Sequence, residues 1–404
     1  MSSSEALRPA AGPAEQRTIT PLLTFVLAAA CGAVVANIYY AQPLVGLIGP
    51  ALGLPPEISS FVVTLTQIGY GAGLVLLVPL GDLLENRRLV GVTLAGAVLA
   101  LLLAAVAPNG ALFLAASFLI GLSSVAVQML VPLAAHMAPD AMRGRVVGNV
   151  MSGLLLGILL ARPLSSLIAD HFGWRAVFGV SALITVAFAL LLARVLPYRR
   201  PARVASYGGL LGSLWSLLRG TPVLQRRTAY QTMAFAAFSL YWTGVPLHLA
   251  GEPFHLSQSG IALFALSGAA GALVAPIAGR IADRGWSRPA TGVALLSIAA
   301  AFPVAWLGRD SIAMLILAGL LLDAGVQCNM VVGQRAIYSL GAEVRSRMNG
   351  IYMAIFFFGG ALGSALAGYA FAHGGWVPVT WIGFAFPVIA LACYATELGN
   401  RRRG

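Results

Sequence analysis

The sequence predicts an all-α membrane protein whose twelve helices cross a bilayer as two similar, pseudo-symmetric six-helix bundles. Three observations predict it. The composition is 59% hydrophobic and only 9% charged, whereas soluble domains carry about a quarter charged residues. Twelve apolar stretches run approximately over 22–48, 58–80, 89–107, 111–137, 147–169, 176–196, 228–250, 258–281, 289–307, 311–339, 348–371 and 377–396. Each is close to the roughly 20 residues that cross a ~30 Å hydrocarbon core as a helix. The chain also repeats itself 202 residues on: Arg143, Arg145, Gly148, Met151, Gly157, His171, Gly173 and Trp174 recur without a gap as Arg345, Arg347, Gly350, Met353, Gly359, His373, Gly375 and Trp376. A half-length repeat in an apolar chain is the pattern of paired bundles that rock about a central site.

The apolar runs are continuous and do not alternate, which excludes a barrel. All 25 basic residues are Arg, and 21 of them lie in 1–21, 81–88, 138–146, 194–227, 280–288, 340–347 and 397–404. The intervening loops hold only Arg175 and Arg309, while Arg162 and Arg335 lie within spans. The positive-inside rule then makes both termini cytoplasmic, as an even number of spans in an inner membrane requires. Topology accounts for the net charge of +12, so nucleic acid is not an expected partner.

Residues 1–20 read as a disordered cytoplasmic segment and 397–404 as a basic cytoplasmic tail. The first apolar stretch is too long for a cleavable signal peptide. One bundle is expected over 21–196 and the other over 228–396. Between them the central loop 197–227 carries Leu210, Leu211, Leu214, Trp215, Leu217 and Leu218, the pattern of a short amphipathic helix on the membrane face. The other loops are short, so neighbouring spans are antiparallel and no soluble catalytic domain has room to fold.

No Walker sequence marks an ATP engine. The five His and three Cys show no metal-ligand spacing, and no nucleophile with a His and acid partner stands out. Cys31, Cys328 and Cys393 all fall within spans and read as packing residues. Neither an enzyme nor a cofactor is expected. Energy must then come from a gradient or from the substrate itself, with an intramembrane enzyme the alternative class.

An ionisable side chain within a span costs about 2.5–3.5 kcal/mol on insertion scales and is a functional hypothesis by default. Arg162 in span five and Asp323 in span ten fall at similar depths, about 22 and 24 Å from the Arg-rich end at ~1.5 Å per residue. Arg335, about 6 Å in, can reach the interface by snorkelling. The same ruler gathers Asn37, Tyr40, Thr66, Tyr241 and Trp242 between about 20 and 27 Å, with Gln128 at about 14 Å. Together with Gln42 and Gln327 these are the candidate cavity residues. Asp323, Gln327 and Gln334 share one helix face. The equivalents in the first half are Gly121, Val125 and Pro132, so the acid belongs to the second half alone.

After span two comes Gly81-Asp82-Leu83-Leu84-Glu85-Asn86-Arg87-Arg88, and after span eight Gly279-Arg280-Ile281-Ala282-Asp283-Arg284-Gly285-Trp286-Ser287-Arg288. The second strongly resembles the cytoplasmic motif of the major facilitator superfamily, and the first is a degraded copy with Leu83 and Glu85 at positions the family usually gives to Arg and Gly. Ala36-Asn37-Ile38-Tyr39-Tyr40-Ala41-Gln42-Pro43 and Arg345-Ser346-Arg347-Met348-Asn349 are similar to sequences of the proton-coupled bacterial exporters in that superfamily. Ser117 stands where its drug antiporters usually carry Arg, and span five lacks their central Gly-Pro.

The resemblance implies alternating access, with spans one, four, seven and ten around a central cavity. It implies export of a small organic molecule, a drug-like compound or metabolite, in exchange for protons. Import by symport and a transporter-like receptor without flux are the competing readings. Asp323 is the expected proton carrier and Arg162 its charge partner, with a permanent structural ion pair as the competing role. Asp82, Arg87, Arg88, Arg143 and Arg145 in one half, and Asp283, Arg284, Arg288, Arg345 and Arg347 in the other, are expected to form cytoplasmic gates. In these, each Asp pairs with Arg of the neighbouring short loop or faces a helix N-terminus, in contacts that hold in one state and part in the other; charges that only set topology are the competing reading.

Overall fold

The computed structural model describes residues 19–198, 206–268, 274–341 and 343–399. The expectations for residues 1–18 and 400–404 lie outside them, as does part of the central loop. Every regular element among the described residues is helical. Nine helical stretches among the described residues are long and apolar enough to cross a membrane.

Three predicted spans differ from those nine, each for a local reason. Span one breaks into Pro21–Ala36 and Val45–Ala51 around a 3-10 turn at Gln42–Leu44, where Pro43 has no N–H to give an α-helical bond. Of span eight the described residues give the helices Gln258–Leu266 and Val274–Asp283, each too short to cross by itself. Span seven, Pro222–Ala250, is 29 residues long but holds Gln231, Ser239, Tyr241, Trp242, Thr243 and His248. All of these are buried against protein, so the helix does not need an apolar surface throughout.

The sequence sets several helix starts. The side chains of Thr20, Glu85, Asn109, Ser206 and Ser257 accept backbone N–H bonds at the first turns of spans one, three and four, the loop helix and span eight. Such caps occupy donors that have no partner within the helix. Span five, Arg143–Phe172, and span eleven, Arg345–Gly374, both end on a glycine in the left-handed region, Gly173 at φ 81° and Gly375 at φ 67°. These are paired positions of the repeat, and a residue with a Cβ would be strained at both.

The packing is itself repeated. In the first half span one lies on span five, span two on span four, and span three on span six; in the second, span seven lies on eleven, eight on ten and nine on twelve. The halves meet where span two packs on span eleven and span five on span eight.

Glycines allow the closest approaches. A Cβ on Gly157 would stand 2.2 Å from the Gly32 carbonyl oxygen, and one on Gly363 would stand 2.0 Å from that of Ala236. Gly157 and Gly363 face spans one and seven inside their own halves, where contacts this close rigidify each bundle.

The loop helix Tyr207–Gly220 forms where the leucine pattern predicts it. Leu214, Leu217 and Leu218 turn to the core, Trp215 stays exposed, and Arg219 lies 4.4 Å from its ring centre. The helix touches both halves, with Tyr207 Oη donating to the Leu76 carbonyl at 2.9 Å and Ser213 Oγ accepting from Arg347 at 3.1 Å.

Candidate functional site

Between the halves lies a hollow of about 650 Å³. It begins at the exposed Arg345 and Ser346 at the Arg-rich end, passes Tyr338, Asn349 and Gln334, and ends at Arg162 and Asp323. Phe235, Phe238, Phe356, Phe357, Met330 and Met353 make much of its wall. The opposite end is closed. There Gln42 and Leu44 are fully buried, Pro56–Ser59 packs on span eleven, and Ser259 Oγ donates to Asp170 Oδ2 across the halves. Gln67 donates to Ser239 at 2.8 Å, and the Thr64 and Ser364 hydroxyls lie 2.8 Å apart, tying spans two, seven and eleven together.

Helical periodicity puts the two charges on this surface. Asp323, Val326, Gln327, Met330 and Gln334 form one face of span ten, Ile312–Tyr338, and all five line the hollow. Met151, Leu154, Leu155, Ile158 and Arg162 do the same for span five. The steps of three and four residues are those of a single helix face.

Arg162 is 5% exposed. Its Nε donates to Gln42 Oε1 at 2.8 Å. Its Cζ lies 4.7 Å from the ring centre of Trp242 and 5.1 Å from those of both Tyr39 and Phe238. Ring faces attract a cation by about 0.5–2 kcal/mol each when desolvated. Its Nη2 is sealed from solvent and has no hydrogen-bond partner. Among the described residues no carboxylate oxygen lies within 4 Å of its nitrogens. The direct ion pair with Asp323 that the competing role requires is therefore not formed in this conformation.

Asp323 is 7% exposed, and its Oδ1 accepts the Trp242 indole N–H at 2.8 Å. The other oxygen faces Gly268, where a Cβ would stand only 2.9 Å from Oδ2 and 3.0 Å from the Trp242 ring. Trp242 thus joins the two charges, with its N–H on the acid and its face beside the guanidinium.

Of the candidate cavity residues, Gln128 and Gln327 line the hollow. The other six share its depth but not its surface. Asn37 accepts from Ser181 at 2.5 Å, and Tyr40 also meets Ser181, so both face span six. Gln42 stands behind Arg162 at the closed end. Thr66 bonds back to the Val62 carbonyl and lies against Gly121 of span four. Tyr241 donates to the Leu315 carbonyl at 2.5 Å, and Trp242 serves Asp323. A depth ruler fixes height along a helix and not direction around it, which is also why the phenylalanines of the wall escaped the expected set. Their apolar character gives no sign of their role.

The expected gate pairings are not formed in this conformation. Asp283 pairs with Arg335 at 2.6 Å, not with Arg345 or Arg347, because span ten ends beside the second helix of span eight. Arg345 donates to the Tyr338 carbonyl at 3.2 Å and Arg347 to Ser213. Arg143 pairs with Asp140 in its own turn, and Arg288 with Glu397 at 3.3 Å. Asp82 is exposed and has no ion pair among the described residues, while Arg87, Arg88, Arg145 and Arg284 are exposed. Glu85, a departure from the family motif, caps span three by accepting the Arg87 and Arg88 N–H groups at 2.8 Å.

The chain matches the Major Facilitator Superfamily over residues 24–310 and 229–403. It is 40% identical to an uncharacterized transporter, YgaY, of Escherichia coli O157:H7 over 92% of this chain and 95% of that one. A probable transporter of Streptomyces coelicolor, SCO4007, is 35% identical over 92% of this chain and 86% of its own. Among solved structures the nucleoside transporter NupG is similar at a TM-score of 0.75 and 12% identity, covering 93% of this chain and 98% of that one. The human organic anion transporter MFSD10 is similar at a TM-score of 0.67 and 16% identity, covering 93% of this chain and all of that one. At these identities the two structures speak for the fold alone. Fold, paired halves and sequence kinship agree: the chain belongs to the Major Facilitator Superfamily and is a multi-pass membrane transporter.

Proposed function

We propose that this transporter is proton-coupled and works in an inner membrane as a monomer, with both termini and the Arg-rich end cytoplasmic. Its two bundles, 21–196 and 228–396, rock about the hollow on either side of the linker 197–227. In this orientation the structure is the inward-open state. Asp323 carries the proton and Arg162 supplies a fixed charge, while the motif residues at the cytoplasmic end, Asp82 and Asp283 with their neighbouring Arg, re-pair when that end closes. One observation carries the reading: an acid and a guanidinium from opposite bundles reach the inner end of one hollow, linked through Trp242 and free of a direct ion pair. Low-dielectric surroundings favour a neutral acid and a nearby guanidinium favours the ionised one. A change in their separation therefore ties proton binding to conformation. The driving force is about 2.3 kcal/mol per 100 mV for each proton.

Export of a small organic molecule in exchange for protons is the mode implied by the sequence resemblance to bacterial exporters, and it requires a substrate that displaces the proton. A second mode, in which substrate and proton move together, is favoured by the lack of any carboxylate within 4 Å of Arg162 among the described residues. The test is to express the chain in a pump-deficient bacterial host and follow accumulation and efflux of toxic compounds and metabolites with and without an uncoupler. Uncoupler-sensitive movement of at least one compound is expected; movement indifferent to the uncoupler would refute the proton coupling.

A further inference from the structure

The charges on the hollow do not balance. Among the described residues three charged side chains line it: Arg162, Asp323 and, at the mouth, Arg345. The sum is positive whether or not Asp323 is ionised. At the inner end Arg162 keeps one hydrogen bond, from Nε to Gln42. Nη2 is sealed without a partner, and Nη1 donates no hydrogen bond among the described residues. A buried guanidinium that lacks acceptors forfeits charge-assisted bonds of the stronger class. The rings around it attract its charge but supply no acceptor in the plane of the fork. Below it the wall is Phe235, Phe356, Phe357, Met330 and Met353, suited to an apolar or aromatic body.

We propose that the substrate is an amphipathic organic anion: its acidic group docks on Arg162, its body lies along the phenylalanine wall, and the proton held by Asp323 crosses with it in the same direction. This rests on the reading of Asp323 as the proton carrier. With Asp323 ionised, an incoming anion meets a site whose inner charge is already offset. With Asp323 protonated, the guanidinium is uncompensated and draws the anion. Proton and anion therefore favour each other's binding by the same factor, and an inward proton gradient drives uptake. A cationic substrate would have to settle beside Arg162 on an acid that already has one oxygen committed to Trp242.

The charged and titratable groups that act on Asp323 are Arg162 of span five and Tyr241 of span seven. Spans eight and nine carry no ionisable side chain between 258 and 279 or between 289 and 307. The titration is thus assigned to the acid itself.

The test uses the full chain and three probes with one body: naphthalene-2-carboxylate, its neutral carboxamide, and 2-naphthylmethylammonium. Binding to detergent-purified protein is read by thermal shift between about pH 6 and pH 8, across which the carboxylate stays ionised. The carboxylate is expected to bind about tenfold tighter at the lower pH and about tenfold or more tighter than the amide or the amine. Added to pyranine-loaded proteoliposomes, it acidifies the lumen beyond the protein-free background. Arg162→Gln removes the preference for carboxylate over amide, and Asp323→Asn keeps that preference but loses its pH dependence.

Tightest binding of the ammonium probe with lumen alkalinisation would overturn the anion assignment and leave proton coupling standing. So would carboxylate affinity unchanged in Arg162→Gln, or no carboxylate binding at all. If Asp323→Asn matched the unaltered protein in every pH profile, the proton-carrier reading itself would fall. Should Arg162→Gln not fold, the three-probe comparison on the unaltered protein still decides.

Discussion

At the residue scale, Arg162 and Asp323 stood out in the sequence because a charge inside a span is costly, and both reach the same hollow. Their connection through Trp242 was not legible, since the partner of an indole N–H depends on how span seven is rotated. Gly268 was silent for a similar reason: its importance is the space it leaves beside Asp323. Gly268→Leu is expected to fold yet lose proton-linked transport, because the side chain must enter the gap at Oδ2. Intact expression with full flux would show that the gap is unused. Gln42→Leu removes the one acceptor Arg162 has. A buried donor left unpaired costs about 1–3 kcal/mol, so the purified variant should melt at lower temperature, and an unchanged melting curve would mean Gln42 contributes little.

At the element scale, most of the spans were legible because hydropathy is a one-dimensional property and lipid demands about 20 apolar residues. The repeat was equally legible, and it foretold equivalent packing in both halves. The break in span one and the direction of the glycine faces were not, because both depend on what lies alongside. The glycines now divide by position. Gly157 is pressed against the Gly32 carbonyl, while Gly350 has nothing within 4 Å of an added Cβ. Gly157→Leu should destabilise the protein by about 1–3 kcal/mol or more through overpacking. Gly350→Ala should be neutral or stabilise it by up to about 1 kcal/mol through helix propensity. Thermal unfolding in detergent checks both, and equal losses at the two sites would contradict the packing described.

At the scale of the whole molecule, the hollow opens at the Arg-rich end and is shut at the other, where Gly46 approaches Leu247. In a chain with Cys31, Cys328 and Cys393 replaced, Gly46→Cys with Leu247→Cys should be joined by a short bis-methanethiosulfonate cross-linker, which a reductant releases. Such a link should stop transport until it is reduced, if the two ends open in turn. Transport through the cross-linked protein would deny alternation. The gate motifs were recognisable in the sequence as a family pattern, but their partners were not. Motif likeness carries no information about which of several exposed Arg an Asp meets in a given state, and Asp283 meets Arg335.

The account turns on Asp323 as the group that carries the proton. Its most direct test compares reconstituted wild-type and Asp323→Asn protein in two assays, exchange of labelled substrate at equal concentrations and uphill accumulation under an imposed pH gradient. Retained exchange with abolished accumulation is the predicted result. Uphill accumulation by Asp323→Asn, with the pH dependence of the wild type, would contradict it.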